Sequence, residues 1–123
     1  MRRNALEALK VWKTSEDRNP MVLKGTRQVG KTWLMKEFGR NFYKNLVYFN
    51  FDEEDALKSI FESNKNPQRI LELLALIAGQ RIEPGRTLII FDEIQECPAA
   101  LNALKYFREK AGEYHVIAAG SLL

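Results

Sequence analysis

The stretch that decides the fold is Gly25-Thr26-Arg27-Gln28-Val29-Gly30-Lys31-Thr32, which matches G-x-x-x-x-G-K-[ST] at every fixed position. Apolar residues 21–23 precede it and a helical pattern follows it, so it is predicted to join a strand to a helix. The two glycines allow successive backbone N–H groups to converge on phosphate oxygens, and the helix directs its positive end at the anion. The stretch therefore predicts a phosphate-binding loop, with an ordinary Gly-rich turn as the alternative.

Two side chains of this loop carry specific chemistry. Lys31 can reach the β- and γ-phosphates of a nucleotide as a mobile point charge, and Thr32 offers a hydroxyl to Mg²⁺. The candidate nucleotide-binding residues are Gly25, Thr26, Arg27, Gln28, Val29, Gly30, Lys31 and Thr32.

A second motif, Leu88-Ile89-Ile90-Phe91-Asp92-Glu93, places two carboxylates at the end of an apolar strand. The carboxyl edge of an α/β sheet is where such folds bind ligands. Asp92 is predicted to hold Mg²⁺ through water, beside Thr32. Glu93 is predicted to orient and deprotonate an attacking water as a general base. A helix N-cap is the alternative role for this acidic pair.

A third motif ends the last apolar strand, where residues 118–121 read Ala-Ala-Gly-Ser. We expect this strand end to lie near the terminal phosphate, where Ser121 can sense that group through a hydrogen bond. A Gly-Ser turn is the alternative. The catalytic candidates are therefore Lys31, Glu93 and Ser121, and the metal-binding candidates are Thr32 and Asp92.

Strand and helix patterns alternate along the chain. The strands are continuously apolar, which is typical of a parallel sheet covered by helices on both faces. A helix opened by Asn66-Pro67 is expected to bury a face that includes Ile77, and the helix after the loop is expected to stop at Gly39. The predicted strands are 21–24, 46–51, 87–91 and 114–119, and the best-defined helices are 4–13, 31–38 and 98–110.

Composition and charge limit the class of protein. The chain has 123 residues, 46% of them hydrophobic, which suits one domain. Its net charge of +3 hides an uneven distribution: residues 1–44 hold 11 Lys and Arg against 4 Asp and Glu, and the remainder holds 8 against 12. A basic front half favours an anionic partner, which nucleic acid, phospholipid or a nucleotide would satisfy equally.

The remaining sequence features favour a cytoplasmic protein. The start of the chain lacks a secretory signal, and no apolar run approaches the roughly 18 residues of a membrane span. The single cysteine, Cys97, has no partner for an internal disulfide. The single histidine, His115, falls in a strand and is interpreted as structural.

Together the three motifs resemble the P-loop ATPases of the AAA+ superfamily. The particular residues of these motifs resemble those of a prokaryotic group of AAA+-type ATP-binding proteins, which usually carry a further, poorly characterised C-terminal region. The resemblance implies an α/β fold, a three-layer α/β/α core with a mostly parallel sheet. It also implies ATP, Mg²⁺ and hydrolysis. We expect residues 1–123 to form a single domain, with an N-terminal helix within residues 1–18.

The same resemblance implies parts that lie beyond the last strand. These are a fifth strand, a lid domain, an arginine finger and a second sensor. We therefore expect the chain to be the front part of a longer protein, cut after the sensor strand. An arginine finger supplied by a neighbouring subunit or another partner would leave the isolated chain able to bind ATP but to hydrolyse little.

The leading functional hypothesis is Mg²⁺-dependent ATP binding and hydrolysis that drives or gates a conformational change. The runner-up is a nucleotide-gated switch or DNA-associated module with little or no turnover. A nucleic-acid motor is a third hypothesis, although no aromatic-interleaved basic stripe supports it. A GTPase is disfavoured because the guanine-reading Asn-Lys-x-Asp is absent from the sequence, where the nearest string is Asn64-Lys65-Asn66-Pro67.

Overall fold

A four-stranded parallel sheet forms the centre of the molecule. The computed structural model describes residues 2–24 and 29–121. All three strand pairings are parallel, and the strand order is β1-β4-β3-β2. The predicted parallel sheet is therefore confirmed. The strands are β1 (Met21–Lys24), β2 (Asn45–Asn50), β3 (Thr87–Asp92) and β4 (His115–Gly120).

Five α-helices and one short 3₁₀ turn, at Ile94–Glu96, surround the sheet in the described part of the chain. Local signals explain several boundaries: Asn66 caps α4 by accepting the Gln68 N–H at 2.9 Å, and Gly79 ends it in the left-handed conformation. Over the described ranges, no helix has both the length and the apolar character that crossing a bilayer requires. The helices are α1 (Arg2–Lys13), α2 (Val29–Phe42), α3 (Asp55–Ser63), α4 (Pro67–Ala78) and α5 (Pro98–Lys110).

The two faces of the sheet bury two separate hydrophobic cores. Along β3, Leu88 and Ile90 join the core formed with α1 and α2, whereas Ile89 and Phe91 join the core formed with α3, α4 and α5. This alternation follows from the two-residue period of a strand. Every residue of β3 and β4 is buried, as expected for the central strands of a covered sheet. The predicted three-layer α/β/α core is confirmed.

The helix after the predicted loop does not stop at Gly39. It continues to Phe42, and Gly39 lies buried inside it, against β2. A Cβ atom at this position would lie 2.7 Å from Leu46 Cδ2 and 2.9 Å from Leu46 Cβ. The glycine thus permits close approach of α2 to the sheet rather than ending the helix.

The predicted apolar face of α4 is also partly wrong. Ile70, Leu71 and Leu74 are buried, but Ile77 is 43% exposed. Residues 70, 71 and 74 follow the i, i+1, i+4 spacing of one narrow stripe, and this stripe joins the core that α3 and α5 also form. The next apolar turn of α4 therefore faces outward.

Candidate functional site

The phase of β3 determines which face of the sheet receives Asp92. Because side chains two residues apart share a face, Asp92 lies on the side of Leu88 and Ile90, which is the side of α2. In the register of β2 and β3, Asn50 is paired with Asp92. By the same two-residue period Tyr48 lies on the α2 side of its strand. Carboxylate, phenol and amide thus meet at the carboxyl edge of the sheet.

The first turn of α2 brings Thr32 to this edge. The Thr32 hydroxyl donates a hydrogen bond to Asp92 Oδ2 over 2.7 Å, joining two motifs that lie 60 residues apart. Gly30, Lys31 and Thr32 all belong to the opening turn of α2, which follows β1 closely. Of the predicted phosphate loop, residues 25–28 lie outside the described residues.

Asp92 is a buried carboxylate, with 6% of its surface exposed. Burying a charge is costly unless hydrogen bonds compensate it. Three donors do so here: the Thr32 hydroxyl and the Tyr48 hydroxyl each donate to Oδ2 at 2.7 Å, and the Glu93 N–H donates to Oδ1 at 3.0 Å. The Asp92 side chain is therefore held in one orientation by α2, by β2 and by the backbone that follows β3.

Tyr48 is a member of this site that the sequence analysis missed. Its hydroxyl also accepts a hydrogen bond from Asn50 Nδ2 at 3.3 Å, and the Lys36 ammonium lies 4.0 Å from the centre of its ring. Burial, followed by the hydrogen bond to Asp92, raises the pKa of Tyr48 well above its ordinary value, so the phenol remains a donor. The available signal was the alternation of polar atoms at positions 48 and 50 of a strand that otherwise reads as apolar.

Glu93 leaves the strand in a left-handed backbone conformation, with φ of 52° and ψ of 46°. This conformation is uncommon for a residue other than glycine, and such residues cluster at functional sites. The Glu93 side chain makes no capping hydrogen bond to the 3₁₀ turn that it precedes, contrary to the helix N-cap alternative. The left-handed turn instead directs the chain away from the sheet immediately after the two carboxylates.

The side chains of Gln95 and Ser121 both donate to the Glu93 carboxylate. Gln95 Nε2 lies 2.9 Å from Glu93 Oε1, and Ser121 Oγ lies 3.3 Å from the same oxygen. Ser121 directly follows β4, the central neighbour of β3, so the predicted sensor and the predicted base lie side by side. Gln95 was not predicted, because the 3₁₀ turn that carries it has no clear sequence signature.

Cys97 and His115, the other two titratable residues considered in the sequence, are both buried. Residues 52–55, an acidic run that follows β2, are all exposed, as is usual for the solvated start of a helix. Cys97 is a buried free thiol. His115 is buried at the amino end of β4, where Tyr43 Oη lies 2.6 Å from its Nδ1. This hydroxyl partner, 72 residues away, could not be seen in the sequence.

The donor atoms at the edge fit a magnesium ion. Thr32 and Asp92 supply a hydroxyl and a carboxylate, both hard oxygen ligands of the kind Mg²⁺ prefers. Mg²⁺ is usually held by one or two such protein groups together with phosphate oxygens and water. In the part of the chain that the structure describes, no group of three His, Cys, Asp or Glu side chains is arranged to hold a metal.

Comparison with known proteins agrees with this fold. A family model described as an AAA domain matches residues 17–123. No curated protein matches the sequence significantly. A solved structure of PCH-2 from C. elegans superimposes on the chain with a TM-score of 0.53 at 16% sequence identity. The match covers 99% of this chain and 36% of the PCH-2 chain, so the similarity is one of fold.

Proposed function

Because the chain belongs to the AAA domain family, we propose that it binds ATP together with Mg²⁺ and hydrolyses it to drive or gate a conformational change in a longer protein. The observation that carries this proposal is the 2.7 Å hydrogen bond from the Thr32 hydroxyl to Asp92 Oδ2. It joins the residue expected to bind the metal directly to the residue expected to hold it through water.

The residues divide the proposed chemistry among them. Bound Mg²⁺ would neutralise charge on the β- and γ-phosphates. Lys31, in the opening turn of α2, supplies a cation to the same phosphates, and the N-terminal end of α2 adds its dipole. Thr32 and Asp92 hold the metal's position. Glu93 orients a water molecule and accepts its proton, and Ser121, which lies beside it, senses the terminal phosphate through a hydrogen bond.

A slower, switch-like module is the second candidate, and one observation favours it. Glu93 Oε1 already accepts hydrogen bonds from Gln95 and Ser121, so fewer of its lone pairs are open to a water molecule. In this form the chain binds ATP and turns it over only when a partner or neighbouring subunit supplies an arginine finger. Our expectation of a prokaryotic, cytoplasmic protein belongs to the same proposal.

Calorimetric titration with Mg²⁺ and a non-hydrolysable ATP analogue tests the proposal. We expect the parent chain to bind the analogue in preference to its GTP counterpart, and Lys31→Ala to abolish detectable binding because the phosphates lose their mobile cation. Lys44→Ala is a matched control, since Lys44 pairs with Glu83 at the opposite edge of the sheet. Equal binding by parent and Lys31→Ala would contradict the proposed site.

A further inference from the structure

We propose that Tyr48 is a positioning residue for the metal site, which holds the Asp92 carboxylate so that one oxygen remains open to a metal-bound water. This inference rests on the proposed nucleotide site. It assigns a function to a strand position that no nucleotide-binding motif of the chain includes.

The directions of the hydrogen bonds are determined by the groups at each end. Asn50 Oδ1 accepts the Asp52 N–H at 2.9 Å, so the amide nitrogen of Asn50 is the atom that faces Tyr48. Because that nitrogen donates to Tyr48 Oη, the phenol has its own proton available for Asp92 Oδ2. Three hydrogen bonds thus connect the backbone after β2 to Asp92, and in each of them the donor is the group farther from Asp92.

The acceptor capacity of Asp92 then limits where water can bind. An ionised carboxylate offers about four lone-pair sites. Thr32 and Tyr48 take both sites of Oδ2, and the Glu93 N–H takes one site of Oδ1. One site of Oδ1 remains. Without the Tyr48 hydroxyl, a second site would open on Oδ2, and the carboxylate would lose the donor that opposes its rotation.

The Tyr48 ring is itself held in place. Lys36 lies one turn beyond Thr32 on α2, and its ammonium lies 4.0 Å from the ring centre, within the range of a cation–π interaction. Helix α2 therefore contacts Asp92 and Tyr48 at once. Thr32 donates to the same oxygen of Asp92 as Tyr48 does, and Lys36 packs on the Tyr48 ring. This arrangement indicates that Tyr48 acts on the metal through Asp92 rather than by touching nucleotide.

Tyr48→Phe tests the role, because it keeps the ring and removes only the hydroxyl. Mn²⁺ is used as the metal probe and ADP as the nucleotide, and the measured quantity is the factor by which Mn²⁺ tightens ADP binding. We expect this factor to fall roughly 10-fold, the lower end of the effect of removing groups that orient metal ligands. Electron paramagnetic resonance of free Mn²⁺ gives an independent measure of bound metal.

Tyr43→Phe is the matched control. It also removes a buried phenol hydroxyl with a hydrogen-bond partner, His115, but at the opposite edge of the sheet. We expect it to retain the parent's Mn²⁺ tightening. Asn50→Ala, which leaves the Tyr48 ring untouched, is expected to reduce the tightening in the same direction by a smaller factor. In an Asp92→Ala background, Tyr48→Phe should have no further effect.

Different outcomes separate the two proposals. A parent chain whose ADP binding is not tightened by Mn²⁺ would overturn the proposed metal site, and the role of Tyr48 with it. Parent-like tightening in Tyr48→Phe would overturn the role of Tyr48 alone. Equal losses in Tyr48→Phe and Tyr43→Phe would also overturn it, since a general loosening of the fold would then explain both.

Discussion

At the scale of single residues, the site depends on one buried carboxylate that three elements hold. Asp92 receives donors from α2, from β2 and from the backbone of Glu93, so these hydrogen bonds hold its side chain in one orientation. The next residue, Glu93, has different hydrogen-bond partners. Its backbone is left-handed, and its side chain accepts from Gln95 and Ser121. Two adjacent carboxylates thus occupy distinct surroundings.

This separation gives a prediction for Glu93→Gln. The amide keeps an oxygen that can accept from Gln95 and Ser121, but it no longer accepts a proton from water. We expect nucleotide binding to be retained and the rate of phosphate release to fall roughly 100-fold or more, as is typical when a general base is lost. Single-turnover phosphate release with protein in excess over ATP measures the rate.

Glu96→Gln serves as the control for that experiment. Glu96 is exposed and lies in the 3₁₀ turn that Glu93 precedes, so its substitution makes the same change of charge three residues away. Phosphate release from Glu93→Gln at the parent's rate would show that another group takes the proton.

At the scale of elements, the contact between α2 and β2 sets the position of the whole site. Thr32 and Lys36 project from α2, and Gly39 lies further along the same helix, where Leu46 leaves no room for a Cβ atom. A wider spacing between helix and sheet would therefore move Thr32 away from Asp92.

Gly39→Ala should consequently destabilise the protein. A methyl group gains about 1 kcal/mol in helix propensity, but overpacking a filled contact typically costs about 1–3 kcal/mol. The clash involves Leu46 Cβ, which cannot rotate away, so we expect a net loss of about 1 kcal/mol of unfolding free energy. Urea denaturation measures this quantity. Asn41→Ala, at an exposed position of the same helix, should stay within about 0.5 kcal/mol of the parent, and a more stable Gly39→Ala would contradict the packing argument.

Much of the fold could be predicted from the sequence, because buried parallel strands are continuously apolar and the phosphate-loop pattern separates a strand from a helix. The same reasoning brought Thr32 and Asp92 to one edge. It failed where long-range packing overrides a local signal, as at Gly39, which resembles a helix stop. It also missed Tyr48 and Gln95, since their roles come from strand register and from a left-handed turn without glycine.

At the scale of the whole molecule, two polar clusters lie at opposite ends of the strands, on the face of the sheet that α1 and α2 cover. The proposed nucleotide site lies at the carboxyl ends of the strands, and the pair formed by Tyr43 and His115 lies at the amino end of β4. Burial, and then the nearby cations Arg18 and Lys13, lower the pKa of His115 to about 4. His115 is therefore neutral in the folded protein at neutral pH, and its protonation lowers the free energy of unfolding.

The sign of this effect gives a prediction for acid stability. The folded-state pKa of His115 lies below the unfolded value of 6.5, so the unfolded chain binds the proton more readily. The stability that comes from keeping His115 neutral is fully present above pH 6.5 and is lost as the pH falls toward 4. Between about pH 7.5 and about pH 5, we expect the parent to lose about 2 kcal/mol of unfolding free energy through this residue.

His115→Gln isolates that contribution. Glutamine has no proton to gain in this range and keeps an oxygen that can accept from Tyr43. Urea denaturation at the two pH values should show a smaller loss in the variant than in the parent. If the parent and His115→Gln lost the same unfolding free energy between the two pH values, the acid sensitivity would come from other groups.

The pairing of Asn50 with Asp92 in the strand register has a further consequence for preparations of this protein. A slip of one residue along β3 would turn Asp92 toward α3 and α5 and present Glu93 to α2 instead. A molecule misfolded in this way would keep its secondary structure and compactness but lose its affinity for nucleotide. The stoichiometry of nucleotide binding therefore measures the fraction of molecules with the correct strand register. Circular dichroism and gel filtration do not measure this fraction.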